Sequence, residues 1–309
     1  MRVLILGETG SVGKHLAAEM TRRGHAVVAA SRRASPPGVR VDLHQAGLSA
    51  YRSALTDMDV VVNASGVEDP QLATVAADAG TAFVDISATN TYLDQLERLS
   101  LPVPILVSVG LSPGLTNLLA DAVHRASPHA GSIDVVVLLG AGDQSGAAAS
   151  DWLFELLGRR FTDPGTGAQI LNFSQPAKFA LPHRGDRRTF RADFSDQHVL
   201  ARDLGIPVRT YFALDSRAAT TALSILTRLS GARRLPRGLH LPGGDTWLVW
   251  AAAAGQHPRW ATGHQQSLGT ALVAARAAET ALTLAAGVHH LHRVTTLDQF
   301  SSDQIVLGG

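Results

Sequence analysis

Three glycines close to the amino terminus have the spacing of a phosphate-binding turn. Gly7, Gly10 and Gly13 follow the apolar run 3–6 and lead into a segment with helical periodicity. The first glycine allows a tight turn, the second lets the backbone approach a pyrophosphate, and the third lets the helix pack closely on the strand. Free backbone N–H groups at the start of the helix then face the phosphates. The pattern predicts a dinucleotide site, against the alternative of a turn without a ligand, and the expected contacts are Gly7, Thr9, Gly10, Ser11, Val12 and Gly13.

The end of the next predicted strand, 25–30, bears on the choice of dinucleotide. An NAD site usually has an acidic residue about 20 residues after the glycines, where it binds the ribose 2′-hydroxyl. Ser31, Arg32 and Arg33 stand there instead. Because arginine binds phosphate with a planar fork of donors, the sequence favours NADP(H) over NAD(H). The alternative is a solvated pair of arginines, and Asp42, at the end of the third predicted strand, is a further candidate contact.

Hydride transfer also needs a group that manages a proton, and three residues are candidates. Asp85 follows the fifth predicted strand, where its carboxylate can stabilise an iminium cation or, alternatively, cap the next turn. Asp143 and His264 are the other two, with turn and surface roles as their alternatives. The Tyr-x-x-x-Lys pair of ordinary short-chain alcohol dehydrogenases is absent, because neither Lys14 nor Lys178 follows a tyrosine at that spacing.

Composition excludes several other kinds of chemistry. The chain of 309 residues has no cysteine, which rules out disulfides, thiolate metal sites and cysteine nucleophiles. Its thirteen histidines do not predict a metal site. His289, His290 and His292 are close in sequence, but no carboxylate stands at ligand spacing, and a zinc site usually needs three convergent ligands. We expect these histidines on the surface or in the core.

Charge and hydropathy set the class of protein. Hydrophobic residues make up 45% of the chain and charged residues 17%, with a net charge of +1, which is typical of a globular protein. This balance gives no indication of nucleic-acid or membrane binding. The longest later apolar run, 247–254, is too short to cross a bilayer. We expect a soluble cytoplasmic protein whose partner is a small-molecule substrate.

The first third of the chain alternates between strands and helices, predicted as strands at 3–6, 25–30, 39–43, 59–66, 82–87 and 104–109. This alternation predicts an α/β fold with a doubly wound parallel Rossmann sheet. Ligands of such sheets bind beyond the carboxyl ends of the strands. We therefore expect Asn63, Ala64, Ser65 and Gly66 to run beside the nicotinamide ribose, with ordinary turn chemistry as the alternative.

The pattern changes in the middle of the chain. Predicted strands at 133–139, 208–214 and 246–253 are separated by helices at 152–157 and 218–229 and by Pro/Gly-rich stretches. This mixture predicts an inserted α+β domain. A long Ala-rich helix at 265–286 is expected to return to the first domain. The predicted organisation is a dinucleotide-binding domain of residues 1–124 and 266–309 around a second domain of residues 125–265.

Four segments together resemble one family in order and spacing: Gly7-x-Thr9-Gly10-x-x-Gly13, Val-Val-Asn-Ala at 61–64, Val-Asp-Ile-Ser at 84–87, and Gly-Leu-Ser-Pro-Gly-Leu at 110–115. They are similar to the saccharopine dehydrogenase-like (saccharopine reductase) NAD(P)-binding family. The resemblance implies a Rossmann domain split by an inserted α+β domain for substrate binding and dimerisation. It also implies a homodimer that reduces imines formed between an aldehyde and an amino acid or polyamine. The family's Asp-x-x-Gly-Glu segment differs here, where residues 85–89 read Asp-Ile-Ser-Ala-Thr.

Two classes of function remain open from the sequence. The first is an NADP(H)-dependent oxidoreductase that reduces an imine or carbonyl group of a small amine or amino-acid-type substrate. The second is a redox sensor or regulatory protein that binds NADP(H) without turnover, and a scaffold with a structural nucleotide is a variant of it. The absence of an obvious proton donor favours the sensor, whereas the elaborate second domain favours the enzyme.

Overall fold

The computed structural model describes residues 1–142, 153–229 and 243–309. The chain forms two compact units. The first unit consists of Met1–Gly110 and Ser267–Thr295, and the second of Leu111–Gln266 and Thr296–Gly309. No helix in the described part of the chain is both long and apolar enough to cross a membrane.

The strands are β1 (Arg2–Leu6), β2 (Ala26–Ser31), β3 (Val39–Arg40), β4 (Val60–Asn63), β5 (Ala82–Asp85), β6 (Pro104–Val107), β7 (Ile133–Leu139), β8 (Arg160–Thr162), β9 (Gln169–Leu171), β10 (Ser174–Leu181), β11 (Gly185–Arg191), β12 (Val208–Leu214), β13 (Thr246–Ala253), β14 (Arg259–His264), β15 (Gly287–His290) and β16 (Ile305–Gly308). Among the described residues the helices are α1 (Ser11–Arg22), α2 (Ser49–Ala54), α3 (Gln71–Asp78), α4 (Asn90–Glu97), α5 (Thr116–Ala126), α6 (Ser195–Leu204), α7 (Arg217–Leu226), α8 (Gln266–Ala281) and α9 (Leu291–Val294).

The first unit contains a seven-stranded parallel sheet in the order β15-β6-β5-β4-β1-β2-β3. Strands β4 and β5 are buried along their whole length, as expected of central parallel strands covered by helices on both faces. The order confirms the predicted α/β class and the doubly wound Rossmann sheet.

Register brings the strand ends of this sheet level with one another. Asn63 is aligned with Leu6 on one side and with Asp85 on the other. Val107 is aligned with His290. The residues that follow β1, β4, β5, β6 and β15 therefore meet at one edge of the sheet, where ligands of this fold bind.

The second unit contains a mixed seven-stranded sheet in the order β10-β11-β12-β7-β13-β14-β16 and a separate hairpin of β8 and β9. Helix α5 packs on β7 and β13, and β16 pairs with β14. For this reason the compact units divide after Gly110 rather than after residue 124, and the last residues, 296–309, lie in the second unit rather than in the first.

Several elements differ from the sequence prediction. Strand β4 ends at Asn63 rather than at residue 66, because the Asn63 carboxamide accepts the Ser65 backbone N–H and forms a turn. Helix α8 ends at Ala281 rather than at residue 286, and Gly287–His290, for which the sequence predicted no strand, is a seventh strand of the first sheet. The hairpin of β10 and β11 was not predicted, because its alternation is interrupted by charged residues on the exposed face.

Candidate functional site

The glycine-rich turn between β1 and α1 has the shape of a phosphate cradle. A Cβ on Gly13 would lie 2.3 Å from the Gly7 carbonyl oxygen, and one on Gly7 would lie 2.5 Å from the Ser65 Cα. Gly7 also has a φ of +81°, which favours glycine. By contrast, a Cβ on Gly10 would meet only the Gly7 carbonyl oxygen, at 3.2 Å. Protein atoms therefore fill the space around the first and third glycines and leave open the space over the second.

The amino terminus of α1 has no side-chain partner for its free N–H groups. Its N-cap residue is Gly10, no side chain caps it, and the first turn has no acidic residue. The first N–H groups of any helix lack an intrahelical acceptor. This end of α1 is therefore suited to an anion.

The end of β2 presents a hydroxyl and two guanidinium groups. Ser31 is 8% exposed, and its Oγ has no hydrogen-bond partner. Arg32 and Arg33 follow it and are exposed. A buried hydroxyl without a partner is costly unless a ligand or water completes its hydrogen bonds. Asp42 is exposed nearby in sequence, and its carboxylate accepts the backbone N–H of His44 at 3.1 Å.

A buried polar cluster joins the ends of β4 and β5. The Asn63 Nδ2 donates to Asp85 Oδ2 at 2.8 Å and to the Val67 carbonyl at 2.9 Å. Its Oδ1 accepts the Ser65 hydroxyl at 2.6 Å. These bonds hold the segment Ala64, Ser65 and Gly66 against the glycine-rich turn. Gly7 lies so close to this segment that a Cβ there would clash with backbone atoms of Ala64 and Ser65.

Asp85 is fully buried and surrounded by donors. Besides Asn63, the backbone N–H of Ser87 donates to Oδ1 at 2.7 Å and the Tyr92 hydroxyl donates to Oδ2 at 2.8 Å. Burial raises the pKa of this carboxyl, and the hydrogen bonds from Ser87, Asn63 and Tyr92 oppose that shift. The same burial, together with the neighbouring Asp85 charge, raises the pKa of Tyr92. The donors occupy both carboxylate oxygens, so Asp85 ties strand ends together in this structure.

A second buried cluster joins the ends of β6 and β15. The Ser108 hydroxyl lies 2.8 Å from His290 Nδ1, and His290 Nε2 lies 2.6 Å from Glu97 Oε1. The sequence indicated no role for Ser108 or Glu97, and His290 was expected only on the surface or in the core. The available signal was the strand-end rule, because Ser108 is the first polar residue after the buried strand β6.

The structure describes one of the remaining two catalytic candidates. Asp143 lies outside the described residues. His264 is exposed at the end of β14, and its Nδ1 lies 3.0 Å from Asp245 Oδ1, a partner that the sequence did not indicate. This hydrogen bond lowers the pKa of Asp245. Within the described parts of the chain, no group of three or more His, Asp or Glu side chains could hold a metal ion.

Comparisons with known proteins agree with this geometry. Residues 3–106 match the model of the NAD dependent epimerase/dehydratase family. Over nearly its whole length the chain is similar in structure to the amine dehydrogenase from Mycobacterium smegmatis (11% identity, 96% of each chain, TM-score 0.51). It is similarly related to a meso-dapdh mutant with DAP from Clostridium tetani E88 (15% identity, 98% of this chain and 96% of the other, TM-score 0.50).

Other similarities are confined to part of the chain. A proposed NADH-flavin reductase from Streptococcus pneumoniae TIGR4 matches at 22% identity and a TM-score of 0.23, over 28% of this chain and 47% of the other. This chain thus spans about half the length of that protein. No curated protein matches the chain. Together the comparisons show a Rossmann-like α/β fold, in which the match to the NAD dependent epimerase/dehydratase family is confined to residues 3–106.

Proposed function

We propose that this protein is an NADP(H)-dependent oxidoreductase that reduces an imine or carbonyl group of a small amine or amino-acid-type substrate. The observation that carries the proposal is the glycine-lined cradle at the start of α1. The space over Gly10 is open, the helix has no side-chain cap, and Gly7 and Gly13 have no room for a Cβ. A pyrophosphate supplies the acceptors that these N–H groups lack.

The end of β2 supports the choice of NADP(H). The partnerless Ser31 hydroxyl is a donor for a 2′-phosphate, and Arg32 and Arg33 add guanidinium groups that bind phosphate in a bidentate fashion. An acidic side chain in this position would repel that phosphate, and none follows β2 directly. Asp42 is assigned to the adenosine side of the site, because it follows β3, whose Arg40 lies opposite Ser31 in the sheet.

The roles of Asn63 and Asp85 follow from their contacts. When bound, NADPH supplies a hydride from its nicotinamide ring. The segment 63–66 then lies along the dinucleotide, and its shape is held by the bonds of Asn63 to Ser65 and Asp85. Asp85 is therefore assigned as a positioning residue, because its two oxygens are already occupied and its side chain is buried.

His264 is the proposed proton donor. Its Nδ1 lies within hydrogen-bond distance of Asp245, which orients the ring, as a carboxylate does for a catalytic histidine. The exposed ring leaves Nε2 as the position from which a proton moves to the nitrogen or oxygen of the reduced substrate. The amine-type substrate is supported by the shared fold of the amine dehydrogenase and the meso-dapdh protein.

The first test is fluorescence titration with NADPH and NADH, followed by NADPH consumption over a panel of aldehyde–amine mixtures and ketones. We expect NADPH to bind more tightly than NADH. The double variant R32A/R33A is expected to lose about tenfold or more in NADPH affinity and little in NADH affinity, since bonds to charged groups are each worth about 1.5–3 kcal/mol. The exposed Arg98, after α4, provides the matched control R98A.

The outcomes separate the candidate functions. Binding without NADPH consumption on any substrate would favour the sensor, and binding of neither nucleotide would reject both functions. The homodimer implied by the family resemblance stays a prediction, which light scattering of the purified protein checks.

A further inference from the structure

Three side chains of the first unit are linked by hydrogen bonds at the ends of β6 and β15. The Ser108 Oγ lies 2.8 Å from His290 Nδ1, and His290 Nε2 lies 2.6 Å from Glu97 Oε1 at the end of α4. Ser108 and His290 are completely buried, whereas the Glu97 side chain is 23% exposed. These three side chains therefore link a buried turn to a carboxylate at the protein surface.

The backbone of Ser108 is in an unfavourable conformation. Its φ is 57°, in the left-handed region that a non-glycine residue adopts only when its surroundings hold it there. The hydroxyl bond to His290 is such a restraint. Ser108 also lies two residues before Gly110, the last residue of the first segment of this unit. The bond thus determines the path of the turn 108–110 directly after β6.

The charges around His290 define the direction of its hydrogen bonds. Burial lowers the pKa of His290, and the hydrogen bond to Glu97 opposes that shift. Arg293 and His292, on α9, also disfavour the charged ring. With a neutral ring and an ionised Glu97, Nε2 carries the proton and donates it to Glu97, and Nδ1 accepts the Ser108 hydroxyl.

We propose that His290 is a positioning residue for the nicotinamide half of the dinucleotide, acting through Ser108 and the turn 108–110. This inference rests on the proposed function. A dinucleotide lies across the carboxyl ends of a doubly wound sheet, with one half on either side of the point where the strand order reverses. The glycine-rich turn and the arginines after β2 take the adenosine half, so the ends of β4, β5 and β6 remain for the other half.

The test compares two ligands, NADPH and 2′-phospho-ADP-ribose, which lacks the nicotinamide. In H290Q the side-chain amide takes the place of Nε2 beside Glu97 and leaves Ser108 without a partner, and S108A removes the hydroxyl directly. We expect each variant to bind NADPH about threefold to tenfold more weakly, the equivalent of one hydrogen bond, and to bind 2′-phospho-ADP-ribose as the unmodified protein does. H290N keeps a polar atom near Nδ1 and is expected to retain most of the NADPH affinity.

The neighbouring His289 provides a matched control, because its ring bonds only the exposed Ala285 carbonyl at 2.9 Å among the contacts of the described residues. H289N is expected to leave both affinities unchanged. Should H290Q not fold, S108A carries the test, since alanine lacks the hydroxyl and keeps the Cβ that disfavours a φ of 57°. Equal losses for both ligands, or no loss for either, would overturn the positioning role. If the unmodified protein binds neither ligand, the proposed function fails instead.

Discussion

At the residue scale, the polar side chains at the carboxyl edge of the first sheet fall into two groups. Asn63, Ser65 and Asp85 satisfy one another with hydrogen bonds of 2.6 to 2.8 Å and so form a rigid frame. Ser31, in contrast, is buried without a partner. Because a buried polar group without a partner is costly, the Ser31 hydroxyl is suited to the proposed contact with a 2′-phosphate.

If these residues form a frame, replacing one of them should lower the free energy of unfolding. D85N replaces a carboxylate that accepts three hydrogen bonds with an amide whose NH2 group faces other donors. We expect a loss of about 1–3 kcal/mol in the free energy of unfolding, measured by urea denaturation. The control D78N removes an exposed partner of Arg52 and is expected to cost under about 0.5 kcal/mol. Equal stability of the two variants would contradict the frame.

At the scale of elements, α1 serves two separate purposes. Gly13 brings the helix against the turn, and Gly10 leaves room beyond its amino terminus. Gly13 is therefore required for packing, whereas Gly10 is assigned to the proposed pyrophosphate site.

Alanine substitutions should separate these purposes. In G13A the new Cβ lies 2.3 Å from the Gly7 oxygen and 2.7 Å from the Glu8 Cα, so the helix must shift. We expect G13A to lose about 1–3 kcal/mol of stability together with NADPH binding. G10A has a φ of −74° that alanine accepts, and its Cβ points into the phosphate space. It should keep the melting temperature and lose NADPH affinity by tenfold or more; a stable G10A with full affinity would argue against a pyrophosphate there.

At the scale of the whole molecule, the first unit is assembled from two distant stretches of the chain, Met1–Gly110 and Ser267–Thr295. An ion-pair cluster joins them. Glu279, on α8, lies 2.9 Å from Arg23 and 3.0 Å from His25, at the end of α1. Burial alone would raise the pKa of Glu279, but His25, Arg23 and Arg276 outweigh it and lower the pKa.

This cluster predicts a pH-dependent stability. A carboxyl with a lowered pKa in the folded state stabilises the fold above its unfolded pKa of about 4.3, and that stabilisation disappears as the pH falls through the folded pKa. E279Q is expected to be about 1–2 kcal/mol less stable than the unmodified protein at pH 7, and this difference should shrink as the pH falls below the unfolded pKa and through the lower folded pKa. Urea denaturation over a series of acidic pH values measures this. E155Q, which removes an exposed pair with Arg159, is the control; the same pH response in E155Q would contradict the assignment to Glu279.

The parallel sheet, its glycine-rich turn and most of its strands can be predicted from the sequence alone, because these features depend on local signals. A continuous apolar run predicts a strand buried on both faces, and the glycine spacing predicts the turn that follows it. Strands β7, β12 and β13 were predicted with their observed bounds for the same reason.

Which polar side chains form hydrogen bonds and ion pairs with one another is visible only in the folded structure. Ser108 and His290 are 182 positions apart, and Arg23 and Glu279 are 256 apart. Their pairing depends on β15 returning beside β6 and on α8 packing near α1, and a four-residue strand has too few residues for a periodic signal. The hydrogen-bond donors around Asp85 also place it in the frame. The residue type and sequence position of a carboxylate do not reveal how many donors surround it.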